Sequence, residues 1–191
     1  MNRKNYLPVA FFVGLFMFFL LFYIVIHPLI PYNSDDWMFM SANRIALPSI
    51  HAWNPSRVFP EFLMPLVSEL ASYLIYPLCH DYFLSQTILH SFVISIFLTS
   101  YVGMFYYLLH KRFSVEKKLA MMLSLLFLLL HYLIFRTQDT ANVHLFYSKD
   151  LTCHYFYLIP NVVNAMLVMS LLSKDWLHGN DFNLVKKGLL L

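Results

Sequence analysis

The sequence predicts an all-α, polytopic integral membrane protein with four spanning helices, and three observations carry that prediction. Only 12% of the 191 residues are charged, against 60% hydrophobic and 18% aromatic, whereas a soluble domain carries roughly 25% charged residues. Uncharged runs of membrane length recur along the chain; crossing a hydrocarbon core takes about 20 apolar residues. Lys and Arg are also distributed unevenly among the loops that these runs create, as they are in multi-pass proteins.

The first span, about 7–30, follows Asn2-Arg3-Lys4, and no charge intervenes before Asp35. That stretch is longer than the apolar core of a signal peptide, about 7 to 15 residues, and no small-x-small cleavage site closes it. An uncleaved helix is therefore expected. Residues 31–82 then form an exterior loop. Within it, Glu61, Ser68, Glu69 and Ser72 recur at helical spacing, while Phe62, Leu63, Leu66, Leu70, Tyr73 and Leu74 fill the other faces. This predicts an amphipathic helix in the membrane interface over about 61–77. Glu69 inside the run, with Pro65 and Pro77 bracketing it, argues against a crossing, and a short helix buried against the spans is the other reading.

The second span, about 83–109, carries Thr87, Ser91, Ser95, Thr99 and Gly103 at every fourth position. Such small-residue stripes let helix backbones approach closely in lipid. Gln86 and His90, at the outer end of the same helix, read as hydrogen-bonded packing groups. The third span, about 119–135, is at the short end of the spanning range. The fourth, about 154–173, follows Thr152-Cys153 and places Pro160, Asn161 and Asn164 within the membrane. A proline there bends the helix and two amides need partners, which points to a cavity wall, with Asn161 and Asn164 as candidate substrate-binding residues, or to a helix-helix contact. Gly188-Leu189-Leu190-Leu191 reads as the start of a possible fifth span. A single membrane domain over 1–191, truncated from a longer protein, is the expectation.

Orientation follows from the basic residues. One side of this arrangement receives Arg3, Lys4, Lys111, Arg112, Lys117, Lys118, Lys174, Lys186 and Lys187, and the other only Arg44, Arg57, Arg136 and Lys149. The positive-inside rule then predicts a cytoplasmic N-terminus, with 110–118 inside and 31–82 and 136–150 outside. The basic residues form short groups beside apolar runs, which argues against nucleic acid as a partner. Cys79 and Cys153 form no C-x-x-C pair; both fall on the exterior side, which leaves a bridge between them open. His51, His80, His144 and His154 lie outside too, but no histidine pair has the i, i+4 spacing of a helical metal site. No metal ligands and no cofactor are assigned, and a divalent-metal requirement is left open.

The candidate working surface is the polar stretch that starts the first exterior loop. Asp35 and Asp36 must stand at the water boundary, because a charge at the bilayer centre costs about 2.5 to 3.5 kcal/mol or more. Trp37, Arg44, Trp53 and Arg57 follow within the same loop. A long first helix entered from the cytoplasm, the acidic pair Asp35-Asp36, the aromatic stretch Trp53 to Arg57 and an interfacial helix before the second span together resemble the GT-C superfamily. These are polytopic glycosyltransferases that use polyprenyl-phosphate sugars, and the likeness is greatest to bacterial O-antigen glucosyltransferases that decorate lipopolysaccharide.

The resemblance implies a transferase of the bacterial inner membrane that moves a sugar from a polyprenyl-phosphate donor to a glycan or lipid acceptor. It implies that Asp35 or Asp36 is the catalytic base, taking the proton of the acceptor hydroxyl. Arg57 and Arg44 would neutralise the departing lipid phosphate, for which a guanidinium fork is well shaped. Trp37 and Trp53 would stack on sugar rings or, as the preferred reading, anchor the loop at the interface. The competing expectation is a small non-enzymatic membrane protein, an assembly partner or transporter component, in which the acidic pair only marks the water boundary.

Overall fold

The computed structural model describes residues 6–41, 58–134, 146, 148 and 150–173. The chain is all-α: no strand occurs among the described residues, and six helices are formed. These are α1 (Tyr6–Ile26), α2 (Ser34–Ser41), α3 (Phe59–Cys79), α4 (Tyr82–Lys111), α5 (Lys117–Ile134) and α6 (Leu151–Ser173). Four of them, α1, α3, α4 and α6, are long and apolar enough to cross a membrane. The 18 residues of α5 reach the lower end of the spanning range. The possible fifth span lies outside the described residues.

Helix α4 is the axle of the bundle, and the pairings along it fix the direction of every neighbour. Phe12 meets Tyr106 and Phe16 meets Phe92, so α1 runs antiparallel to it. Phe105 stacks on Phe127 and Tyr101 meets His131, so α5 also runs antiparallel. The partner of Tyr155 is His90, while Leu158 and Asn161 share a cavity with Tyr101 further along α4, so α6 runs parallel. The small-residue stripe does what its spacing suggests: Ser91 Oγ donates to the Tyr23 carbonyl at 3.0 Å, and a methyl group at Gly103 would stand 3.7 Å from the Phe12 ring.

The segment expected to lie in the interface is placed differently. Helix α3 runs along α4 as an antiparallel hairpin, with Ser72 beside Gln86, Ser68 beside His90 and Phe59 beside Phe97. A helix in the interface plane would meet α4 at one level only. Part of the polar stripe that seemed to call for water supplies this packing, while Glu69 stays exposed. Glu61 and Ser68 are buried, and Gln86 Nε2 donates both to the Ser68 carbonyl and to Ser72 Oγ, each at 3.1 Å. In a bundle set in lipid, polar side chains find partners inward. The hairpin closes over two residues, with His80 left-handed at φ 55° and Asp81 capping α4 through Leu84 N–H at 3.0 Å.

Prolines leave one signature four times. In each case the residue before the proline donates its N–H five residues back: His27 to Phe22, Met64 to Phe59, Tyr76 to Ala71 and Ile159 to His154. The prolines are Pro28, Pro65, Pro77 and Pro160. A proline ring clashes with the carbonyl four residues earlier and brings no N–H to it, and a widened turn moves that carbonyl aside. The prolines of α3 are thereby absorbed without breaking the helix. At Pro28 the helix does end, so α1 stops at Ile26 instead of continuing to residue 30.

Candidate functional site

Asp36 sits at the third position of α2, behind Asn33. The Asn33 side chain accepts the Asp36 N–H at 3.0 Å, and Asp36 Oδ2 accepts the N–H groups of Asn33 at 3.4 Å and Tyr32 at 2.8 Å. This reciprocal arrangement is a capping box, which satisfies donors that a helix start leaves free. The other oxygen, Oδ1, reaches across 116 positions to Thr152, accepting its N–H and its hydroxyl, both at 2.6 Å. Thr152 lies in the first turn of α6, whose own N-cap residue, Asp150, makes no side-chain capping bond. One carboxylate therefore caps two helices, and negative charge suits both positive ends.

Four donors saturate Asp36, and its side chain is fully buried. Its neighbour Asp35 is exposed. Of the acidic pair, only Asp35 is open to solvent.

The residues just before α6 are brought to the same place. Tyr23 donates its hydroxyl to the Phe146 carbonyl at 3.2 Å. His27 Nε2 and His154 Nε2 both lie on the Ser148 carbonyl, at 3.1 and 3.0 Å, so each imidazole carries its proton on Nε2. Asp150 follows, with Oδ1 buried and without a hydrogen-bond partner. Burial pushes the Asp150 carboxyl above the usual carboxylate range, the charges of Asp36 and, less, Asp35 add to the shift, and a bond from Cys153 opposes it. This end of the bundle therefore brings Asp150 near the Asp35-Asp36 pair of α2. Among the described residues no group of three or more His, Cys, Asp or Glu side chains is arranged to hold a metal ion.

The remaining candidates separate. Trp37 stacks on Tyr82 at 6.2 Å and meets Phe83 edge-on at 6.1 Å, with 43% of its surface open, which fits an anchor beside the acidic site. Arg44, Trp53 and Arg57 lie outside the described residues. Asn161 and Asn164 are not brought to Asp35: they follow Thr152 by nine and twelve residues, about 14 and 18 Å along α6. Asn161 lines a cavity of ≈ 50 Å³ with Tyr101, His131 and Phe146, and Asn164 is exposed on the outer face of α6. Cys79 and Cys153 are free thiols, bonded locally to the Asp81 carbonyl and to Asp150 Oδ2, so the bridge that the sequence left open is not formed.

Two site roles escape the sequence reading. Thr152 drew notice only as the opening of the fourth span and Asp150 not at all, yet Asn33-x-x-Asp36 has capping-box spacing and Asp150 precedes an apolar run, two start signals that point to helix ends. His90, expected as a hydrogen-bonded packing group, links two other helices. Ser68 Oγ donates to the Met64 carbonyl at 3.0 Å, so it accepts from His90 Nε2, and His90 Nδ1 accepts the Tyr155 hydroxyl at 2.7 Å. No protein-family model matches the chain, and no curated protein or solved structure matches it.

Proposed function

We propose that the chain is a membrane glycosyltransferase of the GT-C kind, or part of one, that transfers a sugar from a polyprenyl-phosphate donor to a glycan or lipid acceptor at the exterior face of a bacterial inner membrane. The observation that carries this reading is the division of labour in the acidic pair: Asp36 is consumed by the tether to Thr152, which holds Asp35 open to solvent at the end of an apolar bundle. Asp35 acts as the base. It accepts the acceptor hydroxyl's proton as the oxygen attacks the anomeric carbon, the bond to the lipid phosphate breaks, and the phosphate departs with the electron pair. Asp150, whose carboxyl burial raises above the usual carboxylate range, stands close enough to Asp36 for their charges to interact. The cytoplasmic N-terminus belongs to the same proposal, since it puts Asp35 on the face where lipid-linked sugars are consumed.

The test is transfer of labelled sugar from polyprenyl-phosphate donors by membranes holding the chain. Transfer that disappears with Asp35→Asn while membrane content is unchanged supports the reading; equal transfer by both proteins removes Asp35 from it. A second reading, assembly with another membrane protein, is favoured by the exposed amide of Asn164 in mid-span, because a polar group facing lipid gains from a neighbouring helix. Asn164→Leu would weaken co-purification of a partner under that reading and leave sugar transfer unchanged.

A further inference from the structure

The outer face of α6 carries a pattern that the bundle does not use. The buried side chains of the helix, Ile159, Val162 and Met169, mark its inner side, where Ile159 and Val162 share the core with Ile94 and Leu98 of α4. On the opposite side Asn161, Asn164, Val168 and Leu171 are all exposed, Val168 by 52% and Leu171 by 42%. Spacings of three, four and three residues bring these four onto one stripe about 80° wide at 3.6 residues per turn. Alternation of three and four is the seam of a two-stranded coiled coil, and here it lies on a face turned to lipid.

The stripe holds two amides where hydrocarbon offers them nothing. Asn161 and Asn164 are the eleventh and fourteenth of the 23 residues of α6, near the middle of the span, and neither side chain forms a hydrogen bond among the described residues. An amide without a partner in an apolar medium is costly, and a neighbouring helix with polar groups at the same two depths removes that cost. A second copy of the chain has them by symmetry. Two copies in one membrane share one topology, so their α6 helices run parallel, and across a parallel two-fold seam each residue meets its own counterpart. Asn161 then faces its counterpart, and so does Asn164. A carboxamide both donates and accepts, so each pair is self-complementary.

We propose that the chain forms a parallel homodimer through the exposed stripe of α6, with Asn161 and Asn164 paired across the two-fold axis and Val168 and Leu171 packed along the same seam. This names the partner in the assembly reading and rests on that reading; sugar transfer plays no part in it. The test is energy transfer between donor-labelled and acceptor-labelled full chains in phosphatidylcholine vesicles, followed as added lipid dilutes the protein. The unaltered chain should self-associate reversibly. An interhelical amide pair is worth roughly threefold or more in association, so Asn161→Leu with Asn164→Leu should weaken the dimer by roughly tenfold.

Asn161→Gln with Asn164→Gln keeps both amides and should associate more tightly than the leucine variant, which separates the lost amides from misfolding. Because Asn161 also borders the cavity beside Tyr101, Asn164→Leu alone, weaker by roughly threefold, gives a result independent of that cavity. With Cys79→Ala and Cys153→Ala in place, Leu171→Cys should cross-link two chains under mild oxidation, and Met122→Cys, at a position 66% exposed on α5, should not. A monomeric unaltered chain, a dimer as tight without the amides as with them, or cross-linking through Met122→Cys in place of Leu171→Cys overturns the proposal. A monomer that binds a different membrane protein through Asn164 overturns it and leaves the assembly reading standing, and a monomer that binds none removes both.

Discussion

Asp36 and Thr152, 116 positions apart, are joined by two hydrogen bonds of 2.6 Å, and this pair fixes α2 to the start of α6. Both oxygens of a buried carboxylate are engaged, so its contribution is to architecture before chemistry. Removing one partner from such a pair strands the other, which costs more than the bond itself contributes.

Thr152→Val keeps the shape and removes only the hydroxyl. It should lower stability by about 1 to 3 kcal/mol, the cost of a bond to a charged acceptor. Asp36→Ala, which also uncaps two helices, should cost more. A double-mutant cycle on thermal unfolding in detergent checks the coupling; additive effects would mean that the two residues do not communicate.

Helix α3 should lie along α4 over its length. With Cys79 and Cys153 replaced by Ala, a cysteine pair at Ser72 and Gln86 should cross-link within one chain under mild oxidation, because these side chains already share a hydrogen bond. A pair at Phe59 and Phe97, at the other end of the contact, should cross-link as well. A link at the first pair without one at the second would return α3 to the interface plane.

Pro160→Ala removes the cause of the widened turn His154–Leu158. The turn should tighten toward ordinary α-helix and swing Tyr155 away from His90, breaking the 2.7 Å contact. The ¹⁵N shift of His90 Nδ1, an acceptor in this bond, reports the change. An unaltered shift would show that packing, not proline, sets the turn.

The raised Asp150 carboxyl sets a sign for pH dependence. The folded state holds this proton more tightly than the unfolded one, so the group favours folding at low pH. That contribution is lost as pH rises from the ordinary carboxylate value through the raised one. Asp150→Asn should therefore be at least as stable as the unaltered protein near neutrality, and its melting temperature should decline less over the weakly acidic range. A steeper decline would reverse the sign.

Apolar run lengths made the membrane bundle legible, and the stripe from Thr87 to Gly103 announced a close helix contact without saying which helix makes it, because in lipid both features follow from composition and spacing alone. The placement of α3 was not legible. Ser68 and Ser72 look like part of a water-facing stripe until Gln86 and His90 are known to face them, and Pro65 and Pro77 look like breaks until widened turns absorb them. At the site, the acidic pair was visible, but its two members looked equivalent. What separates them is Thr152, a contact across 116 positions that no local pattern carries.

The central claim is that Asp35 acts and Asp36 holds, and one paired measurement tests it most directly: sugar transfer and thermal unfolding for Asp35→Asn and Asp36→Asn, side by side. Asp35→Asn should lower transfer by roughly 100-fold or more, as expected for loss of a catalytic base, with an unchanged melting temperature. Asp36→Asn should lower the melting temperature itself. Wild-type transfer by a stable Asp35→Asn protein, or an Asp36→Asn protein that melts normally yet transfers nothing, would contradict the account.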